Sequence, residues 1–139
     1  MQKVFLGIMV VLLIFSSTGC TTLSRSDQER LNELKSVGIS ETEVQKKSPG
    51  AAGALNILPG FGNFYLAVGT NESDHWLYGF LNLLTWPVSI LWGIPEGAID
   101  ATNINKKETI YYYTYDKAGK AELAKRLSES NTVSTPQSK

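Results

Sequence analysis

A single cysteine, Cys20, and a single histidine, His75, occur among the 139 residues of this chain. A lone cysteine excludes a disulfide within the chain, and this pair cannot supply the nitrogen and sulfur ligands of a zinc site. Neither positive nor negative charge is in excess, since 13 basic side chains balance 13 acidic ones. No basic surface favours nucleic acid, so we expect no nucleic-acid partner, no metal site and no cofactor.

Catalytic motifs are equally scarce. His75 adjoins Asp74 and Ser73, but sequence neighbours rarely form a catalytic triad, and no nucleophile elbow is present. We interpret His75 as an exposed turn residue. Gly60 and Gly62 lack a preceding strand, so they indicate close helix packing rather than a phosphate-binding loop. The sequence therefore predicts no catalytic residues and a protein that is not an enzyme.

The first 19 residues are organised like an export signal. Lys3 supplies a positive charge, and residues 4–15 are apolar apart from Gly7. This run is shorter than the roughly 20 residues that a membrane-spanning helix needs. We therefore predict a signal peptide over residues 1–19 that is cleaved rather than kept as an anchor.

The residues Ser17-Thr18-Gly19-Cys20 resemble the lipobox of bacterial lipoproteins. The resemblance implies that the mature chain begins at Cys20 and that fatty acyl chains such as palmitate attach to its sulfur. It places the protein in the bacterial cell envelope. Because Thr21 rather than Asp follows the cysteine, the family pattern implies the periplasmic face of the outer membrane in a Gram-negative host. The alternative is an ordinary signal peptide cleaved near Gly19, which leaves a free thiol.

Residues 20–47 are polar and predict a spacer of two short amphipathic helices. The segments 26–29 and 40–43 both match the S-x-x-E capping box, in which a hydroxyl and a carboxylate bond to free backbone N–H groups. Gly38 is placed to end the first of these helices.

Residues 48–104 carry the hydrophobic part of the chain. Charged side chains are absent from residues 48–71 and from residues 76–95, and the turn-like residues 69–74 lie between the two stretches. Transfer scales favour insertion of residues 76–95 by roughly 4 kcal/mol before the cost of their polar groups, whereas residues 51–68 are close to neutral. The pattern predicts a membrane-associated helical hairpin.

Polar and small residues form a stripe along each arm of this predicted hairpin. They recur at steps of three and four, so they share a helix face, and small residues let two helices approach closely. We predict that the arms pack through a seam formed by Asn56, Gly60, Gly62, Asn63, Tyr78, Asn82, Thr85 and Ser89. The alternative is that the stripe lines a water-filled or substrate-filled cavity.

Pro87, near the middle of the second arm, predicts a kink or break, because proline lacks the N–H that would bond to the carbonyl of Leu83. Thr85 or Ser89 can satisfy that carbonyl. Trp86 lies beside the proline, away from the helix ends where interfacial aromatic residues collect. This position favours a bent or shallow insertion.

Charges outside the hairpin conflict with an inner-membrane insertion. Lysine pairs at 46–47 and 106–107 flank it, and Glu72 and Asp74 mark its turn. That pattern predicts both ends in the cytoplasm, whereas an acylated Cys20 lies on the exported side. Either the lipobox is misread, or the hairpin packs in the near leaflet or against partner copies. We favour the second interpretation.

Glu96 and Asp100, one helical turn apart, are the acidic pair closest to the hydrophobic body. They are a candidate functional pair that can gate an ion or bind an arginine of a partner. Our preferred expectation is a solvated helix face.

The remaining residues are polar. Four tyrosines at 111–115 have strand-like composition, but no second strand is available, so an extended or helical interfacial segment is expected, followed by a short helix over 118–128. These form one predicted segment, 105–128. We expect residues 129–139 to be a disordered tail.

The residues Pro59-Gly60-Phe61-Gly62-Asn63-Phe64-Tyr65-Leu66, followed by Leu83-Leu84-Thr85, Trp92 and Ile99-Asp100, resemble the two-transmembrane-helix (TM-two) domain family. The resemblance covers residues 57–100. It implies a pair of membrane helices and defines no reaction.

The sequence thus predicts an all-α, lipid-anchored membrane protein: a helical hairpin with short flanking amphipathic helices and a disordered C-terminal tail. Its partners are expected to be membrane lipid, reached through Cys20 and the hairpin, and a second copy of the chain or another envelope protein. We expect a non-enzymatic role in membrane assembly or partner binding. The alternative is a small membrane-perturbing or pore-forming protein that uses the polar stripe.

Overall fold

The computed structural model describes residues 21–86 and 88–133, with side chains as far as residue 130. Within these ranges the chain forms six helices and no strand, which confirms the all-α prediction for this part of the chain. The helices are α1 (Arg25–Ser36), α2 (Pro49–Leu55), α3 (Phe61–Ala67), α4 (Asp74–Leu84), α5 (Ile90–Tyr115) and α6 (Lys117–Val133). The predicted signal peptide and Cys20 lie outside the described residues.

The chain divides into two compact units. Unit 1 contains residues 48–101 together with Thr21 and Thr22, and unit 2 contains residues 23–47 and the chain from residue 102 onward. None of the helices in the described ranges is both long enough and apolar enough to cross a membrane.

In unit 2, the N-cap of α1 is Ser24, two residues before the predicted cap at Ser26. The Ser24 hydroxyl accepts a hydrogen bond from the Asp27 backbone N–H, and the Asp27 carboxylate accepts one from the Ser24 N–H, so these two residues form the capping box. After α1, Gly38 has a φ of +81°, a conformation that glycine adopts without strain. The predicted end of this helix at Gly38 is confirmed.

The second helix predicted for residues 20–47 is not formed. Ser40 and Glu43 do bond as a cap, with the Ser40 N–H 3.0 Å from Glu43 Oε2, but only around a turn. The backbone after this turn donates hydrogen bonds to side chains of α5 instead. Thr109 Oγ1 accepts from the Val44 N–H, and Asn105 Oδ1 accepts from the N–H groups of residues 46 and 47. These side chains take the donors that a second helix would have used.

Unit 2 has an apolar core. Apolar residues of α1 and α5 meet in it, and ion pairs such as Arg126 with Glu43 and Glu122 lie outside it. The tyrosine-rich segment is helical, as the end of α5. The core residues are Leu31, Leu34, Ile39, Ile110 and Tyr113.

In unit 1, each uncharged stretch forms two helices rather than one. The first is interrupted after Leu55, where Pro59 lacks a donor and Gly60 has a φ of +77°. The second is interrupted between Leu84 and Ile90, in the stretch where a break was predicted; Pro87 itself lies outside the described residues. The simple pair of continuous helices is therefore replaced by three short helices and by the longer α5, which continues beyond the predicted hairpin.

The C-terminal helix is longer than predicted. It continues to Val133, so residues 129–133 are helical and not a disordered tail. The rest of the predicted tail, residues 134–139, lies outside the described residues.

Candidate functional site

Unit 1 exposes its apolar side chains. Only one large aliphatic residue of this unit, Leu66, is fully buried among those that the structure describes. Eighteen large apolar side chains of the described residues are exposed, and fifteen of them lie between Ile57 and Ile99. They are Ile57, Leu58, Phe61, Val68, Trp76, Leu77, Phe80, Leu81, Leu83, Leu84, Trp86, Val88, Leu91, Ile94 and Ile99. Large exposed apolar surfaces are rare on soluble monomers and usually mark a protein or membrane contact.

The interior of unit 1 is polar and small. Alanines and glycines provide the close contacts, and the buried polar residues are Thr21, Asn56, Asn63, His75, Asn82, Ser89 and Asp100. Lysine and arginine are absent from residues 48–101. The unit therefore has the arrangement that suits an apolar surrounding, in which polar groups must satisfy one another inside.

Asn56 lies at the centre of this interior, in a space made by glycines. Its Nδ2 donates a hydrogen bond to the Gly93 carbonyl at 2.5 Å. A Cβ atom at Gly97 would lie 2.5 Å from that Nδ2 and 3.0 Å from the Ala52 carbonyl oxygen. A Cβ at Gly62 would lie 2.3 Å from Asn56 Cγ. These positions therefore have to lack a side chain for the amide to fit.

A methyl group at Gly97 should accordingly destabilise unit 1. We expect Gly97→Ala to lower the free energy of unfolding by about 1–3 kcal/mol, the usual cost of overpacking a tight interior. Thermal unfolding of the protein in detergent micelles measures this change. Gly50→Ala is the matched control, because the nearest atom to a Cβ there is 4.0 Å away. Equal melting temperatures for the two variants would contradict the packing argument.

A second close approach joins α3 and α4. A Cβ at Gly60 would lie 2.1 Å from the Gly79 carbonyl oxygen, and a Cβ at Gly79 would lie 2.3 Å from the Phe64 ring. The Phe64 ring in turn packs edge-on against Phe80, with centroids 5.4 Å apart. These contacts are consistent with the interpretation of Gly60 as a packing residue.

Side chains satisfy the backbone where the helices of unit 1 end. The Thr85 hydroxyl donates to the Leu81 carbonyl at 2.9 Å, and the Ser89 hydroxyl donates to the Asn82 carbonyl at 2.9 Å. The Asn82 amide oxygen accepts from the Trp92 indole N–H at 3.2 Å. The Leu81 carbonyl also keeps its bond from the Thr85 N–H, whereas the Ser89 hydroxyl bonds to the Asn82 carbonyl in the interior, as an apolar environment favours.

The predicted seam residues therefore divide into three groups. Asn56 reaches across to α5, and Gly60 approaches α4 closely. Asn82, Thr85 and Ser89 bond within their own stretch of chain. The remaining seam residues have different surroundings: Gly62 lies against Asn56, Asn63 is fully buried, and half-buried Tyr78 packs edge-on against His75.

The interpretation of His75 as an exposed turn residue is wrong. It lies in the first turn of α4, only 2% of its surface is exposed, and its Nε2 is 3.1 Å from the Thr21 hydroxyl. The backbone N–H of Thr21 donates to Asp100 Oδ1 at 2.5 Å. Asp100 is completely buried, so the expectation of a solvated acidic pair is wrong for this residue.

Glu96, one turn before Asp100 on α5, is half-buried. Burial, and to a smaller extent the neighbouring Asp100 carboxylate, together raise the pKa of Glu96 to about 7. Of the candidate acidic pair, Asp100 is therefore fully shielded from water and Glu96 is partly shielded. The pair differs in bonding as well, since Asp100 has the Thr21 backbone as a partner.

This pKa predicts a stability that falls as pH rises. Between pH 4.5 and about pH 7 the folded protein keeps a proton on Glu96 that the unfolded chain releases, so the folded state is favoured at the acidic end. The free energy of unfolding therefore falls by about 3 kcal/mol between pH 4.5 and neutral pH. Chemical denaturation at several pH values should show that Glu96→Gln removes this slope. An unchanged slope in Glu96→Gln would refute the assignment.

Sequence reasoning missed the contribution of Thr21 and the burial of His75. The available signal was that His75 directly precedes the uncharged stretch 76–95 and that Asp100 extends the polar stripe along the interior face. Among the described residues, no group of three His, Cys, Asp or Glu side chains is placed to hold a metal ion.

No protein-family model, no curated protein and no solved structure matches this chain.

Proposed function

We propose that this chain is a lipid-anchored protein of the bacterial cell envelope whose unit 1 embeds in one leaflet of the membrane. Its role is non-enzymatic, in membrane assembly or in binding an envelope partner. The observation that carries the proposal is the distribution of polar and apolar side chains in unit 1. Amides, hydroxyls and a carboxylate are buried, and fifteen large apolar side chains are exposed.

The free energy available for embedding is substantial. Thirteen of those fifteen side chains are Leu, Ile, Phe or Val, and each contributes roughly −0.3 to −0.6 kcal/mol at membrane depth. Full immersion would yield about −4 to −8 kcal/mol. The same side chains in water would make the surface prone to aggregation.

Helix length supports one leaflet as the depth of insertion. The seven residues of α3 extend about 10 Å and the eleven of α4 about 16 Å. Half of a hydrocarbon core is roughly 15 Å thick.

The sequence supplies the anchor and its side of the membrane. Acylation of Cys20, implied by the lipobox-like residues 17–20, would hold the chain on the exported face. In a Gram-negative host that face is the periplasmic side of the outer membrane. Shallow embedding from this side also removes the conflict with the flanking lysine pairs, because the charge rule applies to spanning helices.

Tryptophan quenching by brominated lipids tests the proposal. All three tryptophans of the chain, Trp76, Trp86 and Trp92, lie within residues 48–101. In vesicles with the full chain bound, we expect strong quenching by bromines near the carbonyl end and the middle of the acyl chains of the outer leaflet. Quenching no greater than that of a soluble tryptophan protein would overturn the proposal.

The alternative, a small pore-forming or membrane-perturbing protein, has one observation in its favour. Asn63 is fully buried, and neither polar atom of its amide has a hydrogen-bond partner among the described residues. Such a group is costly unless water or another copy satisfies it. Leakage of an entrapped dye from vesicles, abolished by Asn63→Leu, would favour the alternative; intact vesicles at full protein binding would exclude it.

A further inference from the structure

Thr21 is the first described residue of the chain, and it is buried. Only 7% of its surface is exposed, whereas its neighbour Thr22 is exposed. Residues near a chain end are generally ordered only where specific contacts hold them. Thr21 has two such contacts within unit 1, one through its backbone and one through its side chain.

The backbone contact explains why a carboxylate is buried. Asp100 is 0% exposed, and its Oδ1 accepts the Thr21 N–H. A buried carboxylate is costly unless hydrogen bonds offset its lost hydration, and a bond to a charged acceptor is stronger than a neutral one. Because the donor is a backbone N–H, this hydrogen bond does not depend on which side chain residue 21 carries.

The side-chain contact adds selectivity. His75 Nε2 lies 3.1 Å from Thr21 Oγ1, and both side chains are buried. A hydroxyl fits this site in size and in hydrogen bonding. A carboxylate at position 21 would instead lie beside the buried Asp100 carboxylate, and like charges at short range in a poorly hydrated site repel strongly.

We infer that Asp100 and His75 form a clamp that holds the residue after the lipid-bearing cysteine against unit 1. The inference rests on the proposed function, since the clamp acts on a lipid anchor only if Cys20 is acylated. Consecutive Cα atoms are about 3.8 Å apart. A cysteine acylated as proposed and joined to the clamped Thr21 would therefore bring its acyl chains to the leaflet that the apolar surface of unit 1 enters.

The clamp would make two membrane contacts cooperative, namely the insertion of the acyl chains and the embedding of the apolar surface of unit 1. Acyl chains on a long flexible tether would hold unit 1 near the bilayer only loosely, whereas a tether of one residue gives the second contact a high effective concentration. The clamp thus sets where and how unit 1 meets the lipid.

Amide hydrogen exchange of Thr21, followed by NMR, tests the clamp. The sample is the full chain isolated from membranes of the producing bacterium in detergent micelles. We expect the Thr21 amide to exchange at least about 100-fold more slowly than the Thr22 amide. Asp100→Ala should raise the Thr21 rate by about 10- to 100-fold, and Asp100→Asn, which keeps an acceptor oxygen, by less.

Two controls separate the clamp from general unfolding. Amides of α3 should keep their slow exchange in Asp100→Ala. If this variant does not fold, Thr21→Val provides the second measurement, because it removes the hydroxyl and keeps the shape. The ring nitrogen signals of His75, the only histidine, should shift in Thr21→Val and stay unchanged in Thr22→Val.

The clamp is refuted if the Thr21 amide exchanges as fast as that of Thr22, or if Thr21→Val leaves the His75 signals unchanged. Mass spectrometry of the N-terminus of the same sample keeps this result distinct from the proposed function. A protected Thr21 amide beside an unacylated Cys20 would overturn the anchoring role. A freely exchanging Thr21 amide in acylated protein would overturn the clamp alone.

Discussion

Replacing Leu84 and Leu91 together with arginine should displace unit 1 from the membrane. These are the most exposed of its apolar side chains, at 80% and 81%. Each arginine at membrane depth costs about 3 kcal/mol relative to leucine, so the pair shifts the balance between embedded and displaced states by well over a thousandfold. The measurement is tryptophan quenching by brominated lipids in vesicles carrying the full chain.

Leu127→Arg is the matched control for this double variant. Leu127 is also exposed, at 42%, but it belongs to unit 2 and lies on a polar helix. We expect its quenching to equal that of the parent protein. In water, arginine at any of the three positions should be tolerated, because exposed leucines make few contacts. Full quenching in the double variant would show that these leucines do not face lipid.

Cys20→Ala should abolish lipid anchoring and stop processing of the precursor. Each buried methylene contributes about 0.8 kcal/mol, so two or three acyl chains on one residue make attachment effectively permanent. The lipobox-like residues 17–20 imply that cleavage waits for acylation of this sulfur. Mass spectrometry of protein from the native host should therefore find the acylated Cys20 at the N-terminus of the parent and the intact Met1 on the variant.

Cys20→Ser offers a comparison in which a hydroxyl replaces the thiol with little change in size. It should accumulate as the same unprocessed precursor. Processing of either variant at residue 19, with an unmodified side chain at position 20, would establish the alternative of an ordinary signal peptide.

The all-helical class was predictable because its signals are local. The end of α1 at Gly38 needs only one residue that tolerates a positive φ. The breaks in the two uncharged stretches are foreshadowed by Pro59 and Pro87, since proline lacks the donor that a continuing helix needs. The positions of Asn56 and Asn82 on the polar stripes follow from helical spacing in the same way.

The partners of these residues were not predictable, because they depend on which segments meet. The helix predicted from residues 40–43 does not form, because the backbone N–H groups of Val44 and Lys46 donate instead to the side chains of Thr109 and Asn105, about 60 positions away along the chain. The burial of His75 and Asp100 likewise depends on Thr21, which spacing alone does not relate to either. A capping motif or a turn pattern measures local preference, and tertiary contacts of a few kcal/mol override it.

By itself, the sequence determined a short apolar run before a lone cysteine, two stretches without charge, and the glycines and prolines that divide them. These features follow from composition and from the backbone of single residues. Only the tertiary structure decided which surface those stretches present. Polar residues turn inward because α2, α3 and α5 pack through glycine contacts around Asn56, and α4 packs on α3 through Gly79; large apolar side chains are left outside. Whether a side chain faces the interior depends on neighbours brought together by folding, and one-dimensional spacing does not contain that information.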